Sequence, residues 1–373
     1  MRIAYMLTSL GIGGAERQVV GLAERMAARG HEVVLIVLRS RQEHEFSAGV
    51  EVVRLDMTKS AAGVLGGVLR GQGVLRGFRP DIVHSHTFPA NMTARLLRLM
   101  GAAPKVISTF HNIYEGGLGR TAVYSITDAL SVHSTAVSQA VADRYVKIGA
   151  VPGRKCSVIT NGIDVEVFAP ARGGDSRGRE STREQGAFVW LAAGRAVPAK
   201  DFENLLEAFR LVRYEMPDAQ LRIAGESEVR PTERRLAEAD GLRWLGLRND
   251  MASTITAADG FVLSSAWEGM PLVVGEAMAM EKPVVATDVG GVRELVGDVG
   301  VVVPAKDPRT LAKGMLRVMR MPERERREMG KAGRARIVQH FDMDAKANEW
   351  EALYAEILGA DAHSAEQARM VGL

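Results

Sequence analysis

The chain has little of three features, and each shortage excludes a class of protein. It carries a single cysteine, Cys156, among 373 residues, which rules out an intrachain disulfide and fits a reducing compartment. No apolar run approaches the roughly 18 residues that a membrane-spanning helix requires. The segment Met1 to Leu7 is too short for a signal peptide and leads directly into a strand pattern. We therefore expect a cytoplasmic protein, with peripheral contact to a membrane left open.

Net charge is also small. The formal value is +3 at pH 7, so bulk charge indicates no particular partner, and nucleic acid is not expected. The distribution is less even, because residues 1–164 carry 19 Lys and Arg against 12 Asp and Glu, a net of +7 that leaves −4 for the remainder. The basic first half is expected to meet something anionic.

Apolar runs of strand length alternate with helical patterns, and this alternation predicts parallel sheets with helices on both faces. A length of 373 residues suits two such α/β domains. Residues 61–79 form the weakest predicted helix, because six glycines interrupt it at about 1 kcal/mol each. The predicted strands are 3–7, 33–38, 50–55, 82–85, 106–109, 157–159, 188–192, 221–224, 243–245, 261–263, 283–286 and 301–303, and the other main helices are 15–29, 202–215, 231–239, 308–319, 323–339 and 344–358.

A polar, glycine-rich stretch without periodicity, residues 171–186, is typical of a linker. It divides the chain into two doubly wound Rossmann-like domains, residues 1–170 and residues 187–344, followed by a final helical segment, 345–373. Domains of this kind bind ligands outside the carboxyl ends of their strands, so we predict a cleft there.

The most informative stretch runs from Ser264 to Pro283 and predicts a strand, a loop and a helix. Pro271 suits the first helical position, where its missing N–H is not needed. Glu268 before the helix and Glu276 within it are expected to face one pocket. The free N–H groups of the helix start favour an anion in the same place.

Two further loops follow strands directly. Arg195 and Lys200 stand on the loop after the strand 188–192, where two cations suit adjacent phosphates without a metal. Gly13 and Gly14 precede the first helix and leave room for a phosphate or a sugar to approach the backbone. The glycine fingerprint of dinucleotide-binding loops is not met, because Glu16 occupies its third glycine position. An NADP enzyme is a minor alternative, because Arg39 stands at the end of the second predicted strand, where an arginine could face a 2′-phosphate.

Taken together, seven motifs resemble the retaining family 4 glycosyltransferases of the GT-B fold, from the first strand to the final helix. This chain differs from the usual family pattern at two positions: Asp201 stands where glycine often follows the lysine, and Gly275 stands where leucine is usual. The motifs are Gly-Gly-Ala-Glu 13–16, Asn-Gly-Ile-Asp 161–164, Gly-Arg with a lysine 194–200, Ala-Gly-Glu 224–226, Ser-Ser-Ala-Trp-Glu-Gly-Met-Pro-Leu 264–272, the pair of glutamates at 268 and 276, and Gly-Gly-Val-Arg-Glu-Leu 290–295.

The resemblance implies roles for the matching residues and a final helix that crosses back to the first domain. Arg195 and Lys200 would neutralise a leaving nucleoside diphosphate, and Glu276 would bind its ribose. His111 would face the donor sugar, whose hydroxyls and phosphate would be held by Glu268 and the backbone of Gly269, Met270, Pro271 and Leu272. Glu226 and Leu247 would pass near the base.

These residues predict a retaining, metal-independent transferase that moves a sugar from a nucleotide sugar, UDP-linked rather than GDP-linked, to a saccharide or lipid-linked acceptor. A nucleotide-sugar epimerase and a non-catalytic sugar-nucleotide scaffold are the alternatives. His84 and His86 are two ligands short of a structural metal site. Asp342 and Asp344 spell a metal-binding D-x-D, although a helix cap is the simpler interpretation.

A basic and apolar mixture in the first half predicts peripheral contact with an anionic membrane. The residues concerned are Arg70, Arg76, Arg79, Arg95 and Arg98, interleaved with Val68, Leu69, Leu75, Phe78, Leu96 and Leu97. Each basic residue near an anionic leaflet adds up to about 1 kcal/mol, much of which salt removes.

Overall fold

The computed structural model describes residues 1–11, 13–39, 49–170, 186–225 and 241–370. The chain divides into two compact units: one runs from Met1 to Gly162 and includes the C-terminal segment from Met343, and the other is Ile163–Asp342. Residues 163–170, assigned to the first domain from the sequence, thus belong to the second unit. The predicted linker, apart from Gly186, and the predicted helix 231–239 lie outside the described residues.

The first unit is built on a seven-stranded parallel sheet in the order β3-β2-β1-β4-β5-β6-β7. Its central strands are buried on both faces, as expected of a parallel sheet covered by helices on each side. The strand β6 was not predicted from the sequence, because its polar residues hide the apolar signal. The strands are β1 Arg2–Ser9, β2 Glu32–Arg39, β3 Val50–Arg54, β4 Ile82–His86, β5 Val106–Phe110, β6 His133–Ala136 and β7 Cys156–Val158.

Among the residues that the structure describes, this unit has five α-helices before residue 163: α1 Gly14–Ala28, α2 Ala61–Phe78, α3 Phe88–Leu99, α4 Leu118–Ile126 and α5 Gln139–Lys147. The glycine-rich α2 is confirmed as a helix, and close packing explains part of its composition. A Cβ at Gly67 would stand 2.2 Å from Cγ of Met57, and one at Gly71 would stand 3.2 Å from Leu55. Glycine therefore lets this helix lie against the segment that precedes it.

The second unit has a six-stranded parallel sheet in the order β10-β9-β8-β11-β12-β13. Its strands are β8 Val189–Ala193, β9 Gln220–Ala224, β10 Leu242–Gly246, β11 Gly260–Leu263, β12 Val284–Thr287 and β13 Val301–Val303. Its described helices are α6 Phe202–Glu215, α7 Met251–Thr256, α8 Leu272–Ala279, α9 Val292–Val296, α10 Pro308–Arg320 and α11 Glu323–His340.

The last helix, α12 Met343–Met370, returns to the first unit as predicted. Its buried face, which includes Trp350 and Tyr354, joins the apolar core around β1. The Tyr354 hydroxyl lies 3.2 Å from that of Tyr5, which ties the helix to the first strand of the chain. Asp344 lies in the first turn of α12, where a negative charge stabilises the helix, and it pairs with Nε of Arg25 at 3.1 Å.

The basic and apolar cluster predicted to meet a membrane does not form one surface. Arg95 is only 1% exposed and donates to the Tyr124 carbonyl and the Thr127 hydroxyl at 3.0 and 2.8 Å. Arg70 donates to the Leu55 carbonyl. The prediction was wrong for Arg95, because helical spacing placed it on the inner face of α3. None of the described helices is long and apolar enough to cross a membrane.

Candidate functional site

Two loops of the second unit bring Lys200 and Glu268 together. They follow β8 and β11, which are neighbours in a parallel sheet and therefore end at the same edge. Nζ of Lys200 lies 2.6 Å from Oε1 of Glu268, and the Ser265 hydroxyl donates to the same oxygen at 2.6 Å. The arrangement holds a cation and a carboxylate in fixed positions at the carboxyl edge of the sheet, where ligands bind in this fold.

Backbone and side-chain hydrogen bonds hold the two loops against each other. The N–H of Ala266 donates to the Ala199 carbonyl, and the Ser264 hydroxyl donates to the Lys200 carbonyl, both at 2.8 Å. The loop of Lys200 is therefore positioned by the loop of Glu268, and rigid support of this kind is what an electrostatic site requires.

The helix after Glu268 begins one residue later than predicted. Pro271 has φ −77° and ψ 109° and directly precedes α8, which starts at Leu272. Gly269, Met270 and Pro271 are buried and lead into the helix start. Gly290 packs against this turn, since a Cβ there would stand 2.1 Å from the Glu268 carbonyl oxygen. The Gly291 N–H donates to the Gly269 carbonyl at 2.7 Å, which fixes the turn from the other side.

Glu276 is the fifth residue of α8 and is only 3% exposed. A carboxylate buried in so apolar a helix costs free energy unless polar groups surround it. Its neighbour Gly275, where leucine is usual, also has a physical explanation. A Cβ at Gly275 would stand 2.7 Å from Cδ1 of Ile163, so the isoleucine fills the space that a leucine would take.

Asp201, the other departure from the family pattern, lies in the left-handed region with φ 46°. Glycine adopts this conformation without cost, whereas aspartate tolerates it when its side chain makes a local hydrogen bond. Here the carboxylate caps α6 by accepting from the N–H of Asn204 at 3.4 Å. The substitution therefore keeps the loop conformation that carries Lys200.

The remaining predicted donor residues are not all gathered around this pair. Arg195 is exposed on the same loop as Lys200, and Leu247 is 43% exposed after β10. Glu226 lies outside the described residues. The backbones of these loops do approach closely, because a Cβ at Gly225 would stand 1.8 Å from the Gly194 carbonyl oxygen.

In the first unit, the loop of Gly13 and Gly14 leads directly into α1 as predicted. The space beside Gly13 is taken by Glu16, because a Cβ at Gly13 would stand 2.1 Å from Oε2 of that residue. A carboxylate at this place accepts hydrogen bonds from hydroxyl groups and repels phosphate, so the loop suits a sugar better than a phosphate.

His111 follows β5, is half-buried, and lies beside two buried histidines, His84 and His86. Its Nε2 lies 2.9 Å from Nδ1 of His86. His84 lies between the Tyr354 hydroxyl at 2.6 Å and the Thr109 hydroxyl at 2.7 Å. Both His84 and His86 thus orient other side chains. Among the described residues, no group of three or more His, Cys, Asp or Glu side chains is arranged so that it could hold a metal ion.

Burial keeps these histidines neutral. It lowers the pKa of His111 to about 4 and holds the pKa of His84 and of His86 well below 6.5, an effect that their neighbouring imidazoles reinforce. The bond between His86 and His111 therefore joins two neutral rings, one of which donates.

We expect the histidine group to destabilise the fold as the pH falls. A histidine that protonates at about 4 when folded and near 6.5 when unfolded loses about 3 kcal/mol of stability between neutral pH and pH 4. Replacing His111 by Asn should remove this pH-dependent loss of stability. The free energy of unfolding of the wild type, measured with urea, should therefore exceed that of the variant by less and less as the pH is lowered. Burial raises the pKa of Glu115 to about 7, so this residue stabilises the fold as the pH falls. It is present in both proteins, and its contribution therefore cancels in the difference between them. A constant difference from pH 7 to pH 4 would contradict the assignment.

Sequence reasoning missed Ser265 and Glu115 as parts of these sites, and it named His86 without its contact to His111. Ser265 belongs to a quoted motif, but only the structure shows its bond to Glu268. Glu115 accepts from the backbone N–H of His111 at 3.2 Å, a short-range contact that no motif indicates. A further histidine, His133, lies in β6, where its Nε2 contacts the Ser157 hydroxyl at 2.8 Å, away from these sites.

Two family models match the chain. One, described as Glycosyltransferase Family 4, covers residues 12–167, and the other, described as Glycosyl transferases group 1, covers residues 187–321.

Among curated proteins, the chain is 30% identical to the phosphatidyl-myo-inositol mannosyltransferase of Mycobacterium tuberculosis, over 94% of this chain and 95% of that protein. It is 27% identical to the UDP-Gal:alpha-D-GlcNAc-diphosphoundecaprenol alpha-1,3-galactosyltransferase of Escherichia coli, over 76% and 78% of the two chains.

Solved structures share the fold. A sucrose-phosphate synthase from Thermosynechococcus elongatus superposes with a TM-score of 0.83 at 22% identity, over 96% of this chain and 99% of that chain. Anabaena HepE, solved with UDP and glucose, gives 0.80 at 20% identity, over 95% and 99%.

Proposed function

Because this chain belongs to the family 4 glycosyltransferases of the GT-B fold, we propose that it transfers a sugar from a nucleotide sugar, with retention of configuration, to a saccharide or lipid-linked saccharide. The donor is a UDP-sugar in this proposal, and a GDP-sugar is the second candidate. The product belongs to surface polysaccharide or glycolipid synthesis.

One observation carries the proposal: Lys200, Glu268 and the start of α8 lie at one edge of the second sheet. Breaking a glycosyl–phosphate bond leaves negative charge on the diphosphate, and preorganised cations and N–H groups lower that barrier. Lys200 supplies the cation, held 2.6 Å from Glu268, and the helix that begins at Leu272 supplies backbone N–H groups in its first turn. This combination suits a leaving nucleoside diphosphate and needs no metal.

The other proposed roles follow the family pattern. Glu276 binds the ribose, Glu268 binds donor-sugar hydroxyls, and His111 faces the donor sugar. Arg195 adds a second cation on the loop of Lys200, where its exposed guanidinium is free to turn toward the diphosphate. UDP is favoured because a curated relative is named for UDP-Gal and a structural neighbour was solved with UDP.

The best test of the proposed function is a thermal-shift comparison of UDP-, GDP- and ADP-sugars. A donor at 100 times its Kd stabilises the folded protein by about 2.7 kcal/mol, which raises the melting temperature measurably. We expect the UDP-sugars to give the largest shift, and product analysis with an added acceptor should then show transfer. Turnover of the donor without any acceptor would support a nucleotide-sugar epimerase, and binding without turnover would support a scaffold.

Contact with an anionic membrane stays a prediction, and fewer arginines support it than the sequence indicated. With Arg95 buried and Arg70 bound to a backbone carbonyl, fewer cations are available for an anionic surface. Exposed apolar side chains remain on α2 and α3, notably Leu65, Leu69 and Leu99.

A further inference from the structure

Two histidines at the end of β4, His84 and His86, have no role in the proposed function. They lie two residues apart on one strand, so both side chains project from the same face of the sheet. Their ring centroids are 4.0 Å apart, and both side chains are buried. Because His86 also contacts His111, the pair links the core of the first unit to the residue assigned to the donor sugar.

The inner ring, His84, is fixed from several sides. Its Nδ1 lies 2.6 Å from the Tyr354 hydroxyl, and its Nε2 lies 2.7 Å from the Thr109 hydroxyl. Trp350 of α12 packs against it with a centroid distance of 4.4 Å. Both nitrogens are thus satisfied by hydroxyl groups, which can donate or accept. The ring of His86 therefore packs against a neighbour whose own orientation is fixed.

The backbone that follows His86 is fixed as well. Thr87 has φ 72° and ψ 156°, a conformation that a β-branched residue rarely adopts. Its hydroxyl lies 2.7 Å from the hydroxyl of Thr8, near the end of β1. Strained residues of this kind persist where the surrounding structure determines their conformation, and they cluster at functional sites. The end of β4 therefore presents the ring of His86 in one orientation.

The two nitrogens of His86 have different surroundings. Nδ1 lies 2.9 Å from Nε2 of His111, whereas Nε2 is buried and has no hydrogen-bond partner among the residues that the structure describes. Burial lowers the pKa of His86 well below 6.5, so the ring carries a single proton at neutral pH. A buried N–H without an acceptor is rarer than a buried acceptor without a donor, so the proton belongs on Nδ1. His86 then donates to His111.

This direction of donation determines the tautomer of His111. Burial lowers the pKa of His111 to about 4, so this ring is neutral as well. Because Nε2 accepts from His86, the single proton of His111 lies on Nδ1. Among the described residues, the one hydrogen bond to the ring of His111 is at Nε2. The Nδ1–H group is therefore left as a donor for a ligand.

We propose that His86 is a positioning residue, which holds His111 in the Nδ1–H form and so makes it a hydrogen-bond donor to an oxygen of the donor sugar. The inference rests on the proposed function, which assigns His111 to the donor sugar, and it adds the residue that sets the tautomer. The hydrogen bond at one ring nitrogen decides which nitrogen carries the proton. In the opposite tautomer, a bare Nδ1 accepts hydrogen bonds and cannot donate.

Nitrogen NMR of the full-length protein, isotope-labelled at histidine, reads the tautomers directly. Protonated and bare ring nitrogens resonate in separate regions of the spectrum. We expect Nδ1 protonated and Nε2 bare in both His86 and His111 of the protein without ligand. The variants His86→Asn and His111→Asn assign the signals, because each removes one ring. A bare Nδ1 in His111 would overturn the proposal.

Variants at His86 separate positioning from packing. The amide nitrogen of asparagine stands where Nδ1 stands, so His86→Asn should keep His111 in the Nδ1–H form. His86→Leu has no donor, and we expect it to release His111 into a mixture of tautomers. His133→Asn, on β6, is the control for the same substitution elsewhere and should leave the signals of His111 unchanged.

Calorimetry with UDP, UDP-glucose and UDP-galactose then tests the contact with the donor sugar. For the nucleotide sugar that the wild type binds more tightly, His86→Leu should weaken binding by about fivefold, the usual worth of one hydrogen bond between neutral groups. Binding of UDP, which has no sugar to contact, should not change, and His86→Asn should keep the affinity of the wild type. Equal losses in His86→Leu and His86→Asn, or a loss that extends to UDP, would show that the ring acts only through packing.

The two measurements fail independently. UDP binding by the wild type is measured first, and its absence would overturn the proposed function, whereas the NMR result judges the tautomer of His111 by itself. The NMR spectrum of the wild type needs no substitution in the core, so it decides the tautomer even if His86→Leu is poorly folded.

Discussion

Replacing Lys200 by Ala should lower kcat by on the order of 10²-fold or more, the usual cost of removing one group that stabilises charge in a transition state. The reason is geometric: Nζ of Lys200 is already held by Glu268 at 2.6 Å, so it needs no reorganisation when charge develops on the leaving diphosphate. The measurement is steady-state turnover of the donor and acceptor pair identified by the binding screen.

Loss of the lysine also leaves the carboxylate of Glu268, 8% exposed, without its cation, and the fold should lose stability for that reason. The double variant Lys200→Ala with Glu268→Gln should regain stability, which would show that the loss of stability comes from the unpaired carboxylate. Lys313→Ala, an exposed lysine on α10, is the matched control and should behave as wild type. Turnover within threefold of wild type in folded Lys200→Ala would exclude the role. Complete loss of wild-type activity in EDTA, restored by magnesium, would show that a metal supplies the charge.

The second large effect is expected at Glu276. A buried carboxylate on the second turn of α8 has two oxygens for the two vicinal hydroxyls of a ribose. Removing a charged hydrogen-bond acceptor costs about 1.5–3 kcal/mol, so Glu276→Ala should weaken UDP binding by roughly 10- to 150-fold in calorimetry. The isosteric Glu276→Gln should lose part of the same energy without opening a cavity.

A double-mutant cycle separates ribose recognition from a general disturbance of the helix. In the wild type, 2′-deoxy-UDP should bind more weakly than UDP; in Glu276→Ala, which has no acceptor, the two ligands should bind almost equally. Glu203→Ala, at an exposed residue in the first turn of α6, is the control for loss of one negative charge. If the preference for UDP survives in Glu276→Ala, the carboxylate does not contact the ribose.

Much of the fold was predictable because its signals are local. Helix α6 is observed at the predicted residues 202–215, since apolar spacing and capping both lie within one short segment. The alternation of strands and helices predicted parallel sheets, and the rule that ligands bind at carboxyl ends of strands selected the loops of Lys200 and Glu268. The apolar run before Ser264 and the proline at 271 predicted the strand, loop and helix that carry Glu268 and Glu276.

Contacts between distant segments could not be predicted in this way. The ion pair of Lys200 and Glu268 joins residues 68 positions apart, and it depends on β8 and β11 lying side by side in register. Arg95 was taken for a surface cation because charge is a composition signal, whereas its burial depends on which face of α3 meets the sheet.

The sequence alone therefore determined the order of elements, the two-domain class and the loops that carry the donor chemistry, because each is encoded in a short stretch. Only the tertiary structure decided which side chains meet: His86 on His111, Ile163 in the space beside Gly275, and Trp350 against the ring of His84. The physical reason is that strand register and helix orientation are set by packing over the whole domain, and a side chain reports its partner only after those are fixed.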